Sequence, residues 1–296
     1  MTSTPLAPVA SSDDDAMPRG TSVVIPAWND SHRLAPTLTS LLSTLDRTGA
    51  PFEIIVVADG CSDGTPDLVR AFQRDDLRVL EFPTRLGKGG AIVEGFWQAR
   101  FDRVGFLDAD SPVAPGEVLE LIGRLDEFDG AIASRWVAGR KPRFHDSTRR
   151  NLLSIGWSTL ARALFLTKVR DAQCGAKFFR TRPLRRILRR VTIRSWAFDL
   201  DLLYHWEKSG FTCDEVATVW KDDPDSKLVV GQALPLMLCS LLGIRLINSP
   251  IGKWVPARGR HKLRVTLGHL LYGFAASVRD GPPITPGADR PTDQSV

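Results

Sequence analysis

From Ser22 to Ala133, short apolar runs alternate with segments whose apolar residues recur every three or four positions. That rhythm leaves few architectures open to the chain. Ser22-Val23-Val24-Ile25 reads as a buried strand, and Leu34, Leu38, Leu41, Leu42 and Leu45 follow at helical spacing. Residues 52–57 form the next strand, before a polar turn over 59–65 and a helix over 66–74. A third strand covers 77–81, and 88–100 is a helix with Ile92, Phe96 and Ala99 on one face. Residues 103–107 make a fourth strand, Val118, Leu119, Ile122 and Leu125 mark another helix, and 130–133 a fifth strand. Strands alternating with helices imply an α/β domain with a mostly parallel sheet covered on both faces. Ligands of such sheets gather at the carboxyl ends of the strands, where the polar clusters of this chain fall.

After Arg135 the rhythm breaks into a longer basic segment running to Arg170. A helix is expected within 149–167, with Leu153, Trp157, Leu160 and Leu164 along one side, and 171–180 returns to strand character. A further strand–helix pair is expected over 196–208 and 211–220. Residues 228–247 are strongly apolar but interrupted by Gln232, Pro235 and Arg245, which favours an amphipathic interfacial helix over a membrane span. Lys253, Arg258, Arg260, Lys262 and Arg264 then place positive charge beside that apolar face, as an anionic membrane surface would require. The other reading is a helical pair packed on the catalytic core. The division expected is a disordered lead-in at 1–20, a catalytic domain at 21–230, an amphipathic helical membrane-associating extension at 231–280 and a disordered tail at 281–296.

The 296 residues carry a formal charge of +5, unevenly spread: Asp13, Asp14 and Asp15 lie near the start, while Lys and Arg concentrate after residue 135. Anionic partners follow from that sign, but nucleic acid is disfavoured because the arginines do not alternate with a module of stacking aromatics. Cys61, Cys174, Cys213 and Cys239 have neither metal-ligand spacing nor the look of a disulfide framework, which suits a reducing cytoplasm. No basic flank followed by an apolar stretch opens the chain, so no secretory signal is expected.

The chemistry centres on Phe106-Leu107-Asp108-Ala109-Asp110. Residues two apart on an extended segment face the same side, so Asp108 and Asp110 can converge on one hard divalent cation, Mg2+ or Mn2+, where a buried strand leaves the core. From spacing alone they could equally be a strand-end cap and a helix N-cap. Lys88, beside three glycines at a helix start, is either a phosphate ligand through its ammonium and backbone N–H groups or a solvated surface lysine.

Taken in order, several segments resemble the inverting glycosyltransferases of family 2, whose catalytic domain has the GT-A (Rossmann-like, nucleotide-sugar-binding) fold. They are Val23-Val24-Ile25-Pro26-Ala27-Trp28-Asn29-Asp30, Ile54 through Thr65 with Asp59, Arg85-Leu86-Gly87-Lys88-Gly89-Gly90, and Asp108-Ala109-Asp110. Trp28 stands for the usual Tyr, Asp30 for Glu, and Ala58 for the first of two adjacent Asp. Ala133-Ser134-Arg135, Arg149-Arg150, Asp171-Ala172-Gln173-Cys174-Gly175-Ala176-Lys177, Trp196-Ala197-Phe198-Asp199-Leu200-Asp201 and Asp225-Ser226-Lys227 narrow the similarity to the dolichyl-phosphate (polyprenyl-phosphate) glucosyltransferases and their mannosyl relatives.

The resemblance implies transfer of a hexose, glucose from UDP-glucose first among them, to a polyprenyl phosphate by an enzyme peripheral on the cytoplasmic membrane face. The alternative is another sugar nucleotide, such as GDP-mannose or a UDP-N-acetylhexosamine, or a soluble or glycolipid hydroxyl acceptor. It implies metal ligation by Asp108 and Asp110, and nucleotide-sugar contacts from Pro26, Ala27, Trp28, Asp30, Asp59, Gly87, Lys88 and Ala109. Asp59 would bond base or ribose, or only cap its turn; Trp28 would stack near the base, or simply pack. The acceptor phosphate is already ionised and needs cations rather than a strong base, which suits Arg135, one of Arg149 and Arg150, and Lys227, the last also readable as a lid-loop charge. Asp199 would orient the sugar or serve as a base, and Gln173 would contact sugar hydroxyls or satisfy backbone.

Overall fold

The computed structural model describes residues 17–110, 113–137, 167–191, 193–194 and 197–218. The helix expected in 149–167, Arg149, Arg150, Lys227 and the 231–280 extension lie outside these residues.

Seven strands form one sheet: β1 (Thr21–Ala27), β2 (Phe52–Asp59), β3 (Leu77–Phe82), β4 (Arg103–Leu107), β5 (Gly130–Ser134), β6 (Ala176–Arg180) and β7 (Cys213–Ala217), in the order β3-β2-β1-β4-β6-β5-β7. Among the described residues the helices are α1 (Ser31–Asp46), α2 (Thr65–Arg70), α3 (Lys88–Gln98), α4 (Pro115–Arg124), α5 (Thr181–Leu188) and α6 (Phe198–Lys208). Both faces of the sheet are covered, so alternate residues of one strand enter different cores and the strands read as continuous apolar runs. Val23 and Ile25 pack with Leu34, Leu38 and Leu41 of α1 and Leu121 of α4. Val24, between them, packs with Ile92 and Phe96 of α3, Leu184 of α5 and Trp206 of α6.

The sheet is mostly parallel, with one exception that shapes the site. β6 runs antiparallel to both β4 and β5, pairing Leu107 with Ala176 and Arg103 with Arg180. An antiparallel insert brings its own beginning to the edge where its neighbours end. The turn before β6 therefore meets the carboxyl ends of β4 and β5, on the edge of the sheet where β1 and β2 also end.

Five sequence expectations change. The last pair runs helix then strand, α6 before β7, because Phe198, Leu202 and Trp206 recur at four-residue spacing and share one core. Within 171–180 only Ala176–Arg180 is strand. Helix α5 was not anticipated; its Leu184, Ile187 and Leu188 are buried between arginines, a stripe short enough to be overlooked. Residues 17–20 belong to the fold: Pro18 O accepts from Asp102 N–H, and Gly20 N–H donates to Asp102 Oδ1 at 2.9 Å. Helix α2 also stops at Arg70, with Gln73 in the left-handed region (φ 50°) before β3.

Candidate active site

Asp108 follows the last residue of β4, and its N–H donates to the Gly175 carbonyl at 3.0 Å. Lys88, the first residue of α3, places its ammonium 2.7 Å from Asp108 Oδ1. Burial pulls that ammonium down, but Asp108, Asp199 and Asp110 together outweigh it, so Lys88 is raised and stays charged. Its phosphate role was expected to include backbone N–H groups. Those of Gly89 and Gly90 instead donate to Arg194 O at 2.9 and 3.3 Å, so a protein carbonyl caps this helix start. Gly89 also lets α6 approach, since a methyl carbon there would sit 2.7 Å from Phe198 Cγ.

Asp110 carries the strain of the pair. Burial first, and then the charge of Asp108, push its carboxyl up to about 6 from the ordinary 3.8, against the pull of Arg33 and Lys88. Ala109 between them is buried, its carbonyl accepting from Thr37 Oγ1 of α1 at 2.9 Å. Among the described residues no cluster of three or more His, Cys, Asp or Glu side chains surrounds the pair. Two carboxylates with a suppressed second ionisation fit a hard cation whose remaining ligands are water and substrate phosphate. In metal-free protein, the stability contributed by Asp110 is whole below its unfolded value and is lost as pH rises through about 6. A divalent cation needs the ionised form. The thermal-shift gain on adding Mn2+ is therefore expected to grow between about pH 5 and about pH 7; a pH-independent gain would remove Asp110 from the ligand set.

The loops after β1 and β2 are tied to each other. Asn29 adopts the left-handed region (φ 51°), and its Oδ1 accepts from Ser62 N–H at 2.8 Å. Burial pushes the Asp63 carboxyl up, yet hydrogen bonds from Thr65 and Ser31 outweigh it and bring it down to about 2. Pro26 and Ala27 end β1, and the Arg85 guanidinium stacks 3.7 Å from the centroid of the Trp28 ring. Asp30 is buried, pairs with Arg33, and offers Oδ2 to Trp28 N–H at 3.1 Å. Asp59, also buried, accepts from the backbone N–H groups of Leu86 and Gly87, the latter at 3.0 Å. Both of its oxygens thus hold the Arg85-Leu86-Gly87 loop against the end of β2, and a base or ribose would have to share them.

On the far side, Arg135 follows β5 and turns its fork onto a buried carboxylate. Nε and Nη2 donate to the two oxygens of Asp171 at 2.7 and 2.8 Å, and the Arg135 backbone N–H adds a third bond at 3.0 Å. The guanidinium expected to meet an acceptor phosphate is thereby a pin for the 171–175 turn, which also holds the half-buried Gln173. Asp199, in the first turn of α6, is buried and accepts from the Lys177 ammonium at 2.6 Å. Asp201 faces elsewhere, accepting from Ile193 N–H at 3.0 Å.

Asp108, Asp110, Lys88 and Asp199 thus form one charged group, and the Trp28–Arg85 stack and Asp59 line the ends of neighbouring strands. Sequence reasoning missed Arg33, Asp171 and Lys177. The one available signal was Lys177 itself, a lysine inside the apolar strand Ala-Lys-Phe-Phe.

Residues 22–188 match the family described as "Glycosyl transferase family 2". Glycosyltransferase AglD of Haloferax volcanii is 31% identical over 216 residues, 70% of this chain and 34% of that protein, so the chain spans about a third of that relative's length. Dolichyl-phosphate beta-glucosyltransferase of Drosophila melanogaster is 32% identical over 223 residues, covering 70% of this chain and 68% of the relative. The human protein of the same name is 30% identical over 248 residues, covering 78% and 76%. Among solved structures, glucosyl-3-phosphoglycerate synthase of Mycobacterium tuberculosis, crystallised with Mn2+, UDP and phosphoglyceric acid, superposes with a TM-score of 0.57 at 21% identity over 78% of this chain and 80% of that one. That likeness establishes the expected GT-A fold.

Proposed function

Because the chain belongs to glycosyl transferase family 2, we propose that it moves glucose from UDP-glucose onto a polyprenyl phosphate at the cytoplasmic face of a membrane. The observation that carries this reading is the Asp108–Asp110 pair at the ligand-binding edge of the sheet, in a chain whose relatives are named for glucosyl transfer to dolichyl phosphate. Asp108 and Asp110 hold Mg2+ or Mn2+. When bound there, the ion supplies Lewis-acid stabilisation of the negative charge gathering on the departing diphosphate. Lys88, charged and 2.7 Å from Asp108 Oδ1, adds a second positive charge for the same diphosphate. The Trp28–Arg85 stack offers a flat, cationic platform for the base.

A phosphate oxygen of the acceptor attacks the anomeric carbon as the bond to the diphosphate breaks, inverting the configuration there. That oxygen is ionised beforehand, so no residue has to remove a proton from it. One of Arg149 and Arg150, together with Lys227, orients the acceptor, Arg135 acts by pinning the 171–175 turn, and Asp199 and Gln173 meet the sugar. Among the described residues no helix is long and apolar enough to cross a membrane; attachment is assigned to the 231–280 extension, through its apolar stretch and the basic residues Lys253 to Arg264.

The test is to incubate purified protein with Mn2+ or Mg2+, polyprenyl phosphate and a panel of radiolabelled nucleotide sugars. Label entering organic solvent from UDP-glucose alone is the expected result. Transfer only to a water-soluble acceptor, or no lipid-extractable product from any donor, would overturn it.

A further inference from the structure

We infer that Lys177, which lies beneath the site, is a positioning residue that holds the sugar-facing carboxylate of Asp199 and the turn supporting Asp108 in one fixed relation. The side chain is 0% exposed, on the second residue of β6 between Ala176 and Phe178. An ammonium in such a place needs full compensation. It receives it from two acceptors belonging to different parts of the site: Asp199 Oδ1 at 2.6 Å and the Cys174 carbonyl at 2.6 Å. The ring of Phe106 lies 5.2 Å away.

Each acceptor leads to a different half of the reaction. Asp199 opens α6 and interacts electrostatically with Lys88, the partner of Asp108. Cys174 precedes Gly175, whose carbonyl takes the Asp108 N–H and whose Cα packs directly on the Asp108 carboxylate. One cation therefore fixes the rotamer of one carboxylate and the support of another. A buried ion pair adds little stability over an apolar pair of the same size, so its value here lies in placement. The inference rests on the proposed roles of Asp199 at the sugar and Asp108 at the cation.

The test replaces Lys177 by methionine, similar in length and uncharged. Turnover is followed as nucleoside diphosphate release from whichever donor the wild-type enzyme uses, so an error in the acceptor leaves the comparison intact. In K177M, kcat is expected to fall about 30- to 100-fold with the donor KM within about threefold. Mn2+ binding in the presence of UDP, read by electron paramagnetic resonance without any turnover, is expected to weaken about fivefold. A folded K177M protein with kcat and Mn2+ affinity both within threefold of wild type overturns the inference.

Should K177M unfold because Asp199 is left buried and uncompensated, the pair K177M/D199N removes both charges and restores neutrality. If Lys177 acts through Asp199 and the 174–175 turn, any turnover the double variant loses beyond D199N alone is matched by weaker Mn2+ binding. A further loss of turnover with Mn2+ affinity equal to that of D199N would overturn it.

Discussion

Replacing Asp108 and Asp110 together by asparagine is expected to lower turnover by about three orders of magnitude, equivalent to about 4 kcal/mol of transition-state stabilisation. Asparagine keeps the shape of both side chains and removes both charges, so a cation held between them would lose both carboxylates at once. The fold should survive. Asp110 is held in its protein site against its own ionisation, and D110N alone is expected to raise the melting temperature of metal-free protein slightly. D108N takes a partner from Lys88 at 2.7 Å, but the ammonium keeps the field of Asp199. Kinetics with a nucleotide sugar, an Mn2+ titration and a melting curve on each variant separate these effects. Undiminished turnover in the folded double variant would end the assignment of the reaction to this pair.

The second large effect comes from a residue with no side chain. Gly175→Ala is expected to lower kcat/KM by about 100-fold, because an ångström of displacement in a reacting group costs about that much. A methyl carbon at Gly175 would overlap Asp108 Oδ2 and lie 2.6 Å from Asp108 Cγ. Asp108 has little room to retreat, since its N–H is held by the Gly175 carbonyl at 3.0 Å and its Oδ1 by Lys88 at 2.7 Å. The alanine therefore moves the carboxylate, and Mn2+ affinity should fall along with turnover. Gly116→Ala and Gly123→Ala on α4, where nothing lies within 4 Å of the added carbon, serve as controls and should leave both unchanged. G175A activity within threefold of wild type would mean that the position of Asp108 is not critical.

Much of the sheet was legible because its signals are local. The apolar runs around Val24, Ile55 and Phe106 are continuous since both faces of each strand are buried, and the leucines of α1 recur at the helical period for one face only. The carboxylate pair was legible as a motif at the end of an apolar run, although strand pleat does not place it: β4 ends at Leu107, and Asp110 lies in the turn that follows. Helix α5 escaped because three arginines within it and one at each cap crowd its few apolar residues. The order of α6 and β7 was misjudged because the helical spacing of Phe198, Leu202 and Trp206 was passed over.

Partnerships were another matter. That Asp59 clamps Leu86 and Gly87 across 27 and 28 residues, that Arg135 locks onto Asp171 across 36, and that Lys177 reaches Asp199 across 22 could not be read from neighbouring residues. Sequence alone determined the strands, most helices, the family and the two carboxylates, all set by short-range periodicity and motif spacing. The tertiary structure decided what those carboxylates face. Only the reversed direction of β6 carries Gly175 and Lys177 to the edge where β4 delivers Asp108, and strand direction is settled by long-range pairing that no local pattern encodes.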